Sequence, residues 1–245
     1  WKNIRIWSFK FKLISLENKY VKQYFYLLLI SCIEVSIRNL CFYFMVIKTI
    51  NSINSSGTYW VTNNYIWSVL LLPISCISTF IKETFSLTYK NNKFKNQMIF
   101  YFSFVTIIIL IWLITIPLNP ILIKTLMNEK NNFNDVNNLL LILIPFYILF
   151  AYSNIIDSIF IKEGKINLYC IQSIIVNLTF YPIYFMVWKL NIWLPTLESI
   201  CIMFGLGMSF HFLINIPLFF YYLRTSSLTI NKLANNFKNK IYKEQ

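Results

Sequence analysis

The chain has 245 residues, of which 57% are hydrophobic, 19% aromatic and 13% charged, with a mean hydropathy of +0.57 and a net charge of +13. That balance excludes an ordinary soluble globular domain and predicts an all-α protein that crosses a membrane several times. It also excludes nucleic acid as a partner, because the lysines are spread over loops between apolar runs and build no single basic surface.

Residues 1–22 open the chain by interleaving tryptophan and phenylalanine with lysine, as expected for an interfacial linker at headgroup level. Because it begins at Trp1 without a methionine or a signal peptide, the chain reads as a fragment. Residues 23–224 then carry six apolar runs, each long enough to cross a hydrocarbon core of roughly 30 Å. They extend about from Tyr24 to Ile47, Tyr59 to Ile81, Met98 to Leu118, Leu139 to Ile161, Asn167 to Trp188 and Ser199 to Tyr222.

Of the 22 lysines and arginines, 17 fall in the two termini and the loops on their side, four in the alternate loops, and Arg38 inside a span. That asymmetry predicts cytoplasmic N- and C-termini. The basic loop Asn91 to Gln97 then belongs inside, and the Asn-rich stretch Asn128 to Asn138 outside. Residues 225–245 form a basic tail whose Ile230, Leu233, Ala234, Phe237 and Ile241 share one helical stripe, as in a helix lying on an anionic leaflet.

The first span contains "ISCIEVSIRNL", which puts Glu34 and Arg38 at i and i+4 on one helical face, acid first. A charge at mid-bilayer costs roughly 2.5–3.5 kcal/mol on insertion scales, so the two either neutralise each other or serve a function. The second span, "GTYWVTNNYIWSVLLLP", supplies adjacent Asn63 and Asn64 together with Trp67, which are candidates for lining a cavity. The fourth span holds the second acid in "AYSNIIDSIF", with Ser153 and Asn154 one turn before Asp157. Such an oxygen-rich carboxylate suits Na+ or a carried proton, unless it merely reaches Lys162 or Lys165 at the interface.

Six prolines at or inside spans predict kinks that free backbone carbonyls. The five cysteines are scattered and odd in number, and read as small packing residues. His211 alone cannot build a His-based metal site and is expected to hydrogen-bond a neighbouring helix.

The order of these features, "IEVSIRN", "GTYWVTNNYIWSVLLLP", "IIDSIF" and "KEGK", resembles the C-terminal half of a multidrug and toxic compound extrusion (MATE) transporter, from about Lys22 to Arg224. The resemblance implies a six-helix lobe of a two-lobe, twelve-helix antiporter in a bacterial inner membrane, partnered by the missing lobe or a second copy. It implies ion coupling by Na+ or H+ at Glu34 and Asp157, with no other cofactor, and export of amphipathic organic cations by alternating access. Arg38 would tune or compete with the coupling ion. Two other readings compete with this one. A lipid-linked oligosaccharide flippase of the same superfamily calls for more cavity arginines and lysines than Arg38 alone. A non-transporting subunit of an organellar complex calls for acids that only pack. Enzymatic activity is not expected, since an intramembrane protease would need a Ser/His arrangement or paired hydrolase acids that the sequence does not show.

Overall fold

The computed structural model describes residues 18–53, 56–85, 93–129 and 132–241. Most of the expected interfacial linker lies outside them. All secondary structure among the described residues is helical. Six helices are long and apolar enough to cross a membrane: α1 (Tyr24–Ser52), α2 (Ser56–Thr84), α3 (Asn96–Leu126), α4 (Phe133–Lys162), α5 (Ile166–Lys189) and α6 (Leu197–Thr225). All six expected spans are present. Each helix extends past the apolar run that announced it, because a helix continues beyond the hydrocarbon core while its backbone bonds remain favourable.

The largest boundary change is at α4. Its helix begins at Phe133, inside the Asn-rich stretch expected as loop, with Asp135 in the first turn where an acid meets the positive end of the helix dipole. At the other end of the chain, helix runs unbroken from Leu197 to Ile241, so the basic tail continues the last helix.

Helix α4 is the hub, packing against α2, α3, α5 and α6. It is apolar around its whole circumference over its middle turns, and such a helix must be enclosed. Its share of the core runs from Val136 to Phe160 and includes Leu139, Leu140, Leu143, Tyr147, Ala151 and Ile155. Helix α1 is its opposite. Among its described residues from Val21 to Phe44, Glu34 alone is buried.

The prolines act as expected in part. Pro73 follows a π-helical turn at Ile66–Leu70, and Pro182 follows one at Val176–Phe180. A proline has no N–H to return to the carbonyl four or five residues back. For Pro182 the freed group includes the Asn177 carbonyl, which accepts the Cys41 thiol of α1 at 3.2 Å. A third π turn, Tyr43–Ile47 in α1, has no proline to account for it. Pro117 lies inside the 3-10 turn Ile116–Leu118 of α3 and Pro120 just after it, while Pro145 and Pro217 sit within unbroken helix.

On the side with few cations, Lys48, Lys124 and Lys189 each lie over an aromatic ring, Phe44, Phe133 and Trp188 respectively, at 5.7, 3.5 and 4.8 Å. This is how a helix end anchors at an interface, the ammonium toward water and the ring in the headgroup layer. On the opposite side Lys162 caps α2, donating to the Glu83 carbonyl at 2.8 Å.

Helix α6 approaches its neighbours through two glycines. A Cβ on Gly205 would overlap the Phe146 ring of α4, and one on Gly207 would overlap the Tyr181 hydroxyl of α5. Close approach through small residues is the usual way helices associate in a membrane. We therefore expect Gly207→Ala to destabilise the bundle by about 1–3 kcal/mol through overpacking. Gly57→Ala, with nothing within 4 Å of its added methyl, is the control. Equal melting temperatures for the two variants in detergent would contradict this packing.

Candidate functional site

Asp157 lies in the last third of α4, one turn after Ser153, and on α6 His211 and Asn215 repeat the same i, i+4 spacing. The two pairs face each other. Asn215 Nδ2 donates to Asp157 Oδ1 at 2.9 Å and also to Ser153 Oγ. Ser153 Oγ and His211 Nδ1 are 3.0 Å apart, and His211 Nε2 stands 3.9 Å from Asp157 Oδ2. Helix α5 completes the shell with Gln172, whose Nε2 donates to Asp157 Oδ1. The expected bond from His211 to another helix is present. So is the grouping of Ser153 with Asp157.

Two expectations for α4 are corrected by the structure. Asp157 does not reach Lys162, whose ammonium is engaged at the end of α2; the carboxylate turns into the bundle, where the amides of α5 and α6 replace water. Asn154 does not flank Asp157 either. One residue on from Ser153 is about 100° further round the helix, and Asn154 Oδ1 meets Ser78 of α2 at 3.5 Å. Ser78 also bonds Ser158, at 2.5 Å.

Glu34 is held from the same stretch of α5. Ser173 Oγ donates to Glu34 Oε1 at 2.6 Å, and the next turn follows on, with Asn177 Nδ2 donating to the Ser173 carbonyl at 2.7 Å and to its hydroxyl at 3.3 Å. Arg38 stands beside Glu34 as the spacing predicts, but its Nε is 3.6 Å away, outside hydrogen-bond range. The stronger contact to Glu34 is therefore the neutral serine, and the guanidinium supplies charge at slightly longer range. Gln172 and Ser173 are consecutive, so one turn of α5 ties the two acids together.

Two buried acceptors in this cluster have no donor. Gln172 Oε1 and Asn215 Oδ1 belong to fully buried side chains whose NH2 groups serve Asp157, and neither oxygen has a partner among the described residues. An orphaned buried carbonyl costs about 1–3 kcal/mol, and here two stand around one carboxylate.

The second-span candidates are elsewhere. Asn64 and Trp67 are exposed on the bundle surface and Asn63 is half-buried; Trp67 packs edge-on against Phe150 of α4 at 6.0 Å. No hydrogen bond joins either asparagine to another described residue. Gln172, Ser173, Asn177 and Asn215 do not stand out in the sequence by motif or spacing. The available signal is their polarity inside apolar runs, where each needs a partner.

Compared with known proteins, the chain matches no family model, no curated protein and no solved structure. Among the described residues no three His, Cys, Asp or Glu side chains gather as a transition-metal site would require.

If Ser173 is the principal partner of Glu34, a double-mutant cycle of Glu34→Gln with Ser173→Ala should give a coupling of about 1.5–3 kcal/mol, the range for a hydrogen bond to a charged group. The cycle of Glu34→Gln with Arg38→Gln should give less. The reverse order, read from unfolding in detergent, would make the ion pair the dominant contact.

Proposed function

We propose that the chain is one six-helix lobe of a cation-coupled antiporter that exports a small amphipathic molecule by alternating access, with both termini cytoplasmic in a bacterial inner membrane. Its partner is a second lobe, either the other half of a longer MATE-like chain or a second copy. The observation that carries this reading is the pair of orphaned oxygens beside Asp157. Half a turn of each amide exchanges its NH2 for its carbonyl, so that Gln172 Oε1 and Asn215 Oδ1 can join Ser153 Oγ and the carboxylate around one hard cation. One carboxylate balances one monovalent charge, which favours Na+ over a divalent ion.

Coupling then requires that the ion bind one orientation of the lobes more tightly than the other, since equal affinity shifts nothing. The linkage through Gln172 and Ser173 gives the ion a route to Glu34, and through it to the lightly packed helix α1. Proton coupling is the second reading, supported by His211 beside Asp157, where a proton on either group changes the attraction between them.

The Ser153, His211 and Asp157 grouping also admits a hydrolytic reading, contrary to the expectation that no such arrangement exists. It is the weaker one, because the Ser153 hydroxyl is fully buried and already engaged by Asn215, leaving no approach for a carbonyl substrate.

Purified protein should melt later in NaCl than in choline chloride, by about 1.4 kcal/mol of stability at a concentration ten times Kd. Asp157→Asn should abolish the difference and Gln172→Leu should weaken it. An identical Na+ effect in Asp157→Asn would remove the site. In a complete transporter containing this lobe, Glu34→Gln and Asp157→Asn should each abolish efflux while the protein still folds, and unimpaired efflux in both would contradict the coupling role.

A further inference from the structure

The intramembrane charges differ in what they show to the outside. Glu34 is 2% exposed and Asp157 13%, whereas Arg38 is 49% exposed. Arg38 lies midway along the Tyr24–Ser52 span, too deep for its side chain to snorkel to either headgroup layer. Its Nε faces Glu34, and its two terminal NH2 groups have no partner among the described residues. A guanidinium in that state at mid-depth calls for an anion.

Beside it runs an open groove of about 550 Å³ between the first half of α1 and the start of α5, lined by Tyr24, Leu27, Leu28, Ser31, Val35 and Ile166. Val35 and Ser31 stand three and seven residues before Arg38, on the same flank of α1. The lining of the trough ends at Val35 and Ser36, within one turn of Arg38.

A second copy of this chain cannot provide the missing anion. Apart from Glu34 and Asp157, which are enclosed, its acids stand at span ends, in loops or in the termini. An organic cation fits poorly as well, since the guanidinium repels it and both carboxylates already have donors.

Resting on the transport reading above, we propose that this groove holds the exported molecule and that the molecule is an anionic amphiphile. Its phosphate or carboxylate head sits on the Arg38 fork and its tail lies along Tyr24 to Val35. This replaces the organic cation implied by the resemblance.

The test is equilibrium binding to the purified 245-residue chain in maltoside detergent with choline chloride as the only salt, so that Na+ coupling plays no part. The probes are a dansyl-labelled alkyl phosphate and the alkyl trimethylammonium of the same chain length. The phosphate should bind about tenfold or more tightly than the ammonium, and Arg38→Gln should weaken it about tenfold, the worth of one charged hydrogen-bonding contact. Arg38→Lys, which keeps the charge and loses the fork, should fall between. Because Arg38→Gln leaves Glu34 without its cation, the charge-balanced double variant Glu34→Gln/Arg38→Gln, in which the new amide oxygen at position 34 can still accept from Ser173, is made alongside it and should also lose the phosphate.

Displacement by short-chain phosphatidylglycerol would identify a lipid headgroup as the source of the anion; failure to displace would identify a free amphiphile. Both results uphold the site. Equal affinity for the two probes, tighter binding of the ammonium, or undiminished phosphate binding in a folded double variant would overturn it. Binding through Arg38 in a protein that Na+ does not stabilise would sink the coupling reading and leave this one standing.

Discussion

Two consecutive side chains on α5, Gln172 and Ser173, hold the two carboxylates that turn into this bundle. Neighbouring residues in a helix point about 100° apart, so donors at these positions face different helices. One turns to Asp157 on α4 and the other to Glu34 on α1. A carboxylate withdrawn from water without donors is far too costly to keep, and these two bonds therefore fix where α5 must lie. The position of α1 follows, because its first five turns bury nothing else against the bundle.

The α4/α6 interface shows the same constraint from another side. Matching i, i+4 pairs, Ser153 with Asp157 and His211 with Asn215, cross-link the hub to the last helix, while Gly205 and Gly207 let the backbones come close enough for short polar side chains to meet. Gln172 Oε1 and Asn215 Oδ1 are idle, and a site that loads and releases a cation must be incompletely satisfied in one of its two states.

The sequence made the frame legible and the wiring only in part. Six apolar runs give six helices because a hydrocarbon core admits little else, and the 3.6-residue period alone brings Arg38 beside Glu34. The same period put Ser153 near Asp157. It could not say that Asn154 turns to Ser78, since that depends on which side of α4 receives α2. Gln172 and Asn215 were hidden for a similar reason. A polar residue in a span announces that it has a partner, and the partner is set by helix order and rotation, which are tertiary facts. Helix α1 is the clearest case: its burial pattern, one carboxylate in and one guanidinium out, has no sequence period to reveal it.

The central claim, that Asp157 and the amides around it form a cation site, is tested most directly by Na+-induced infrared difference spectroscopy of the purified chain. Ion binding there must perturb a carboxylate stretch and side-chain amide carbonyl bands together, and Asp157→Asn must remove both. A Na+ difference spectrum without carboxylate bands, or one unchanged in Asp157→Asn, would contradict it.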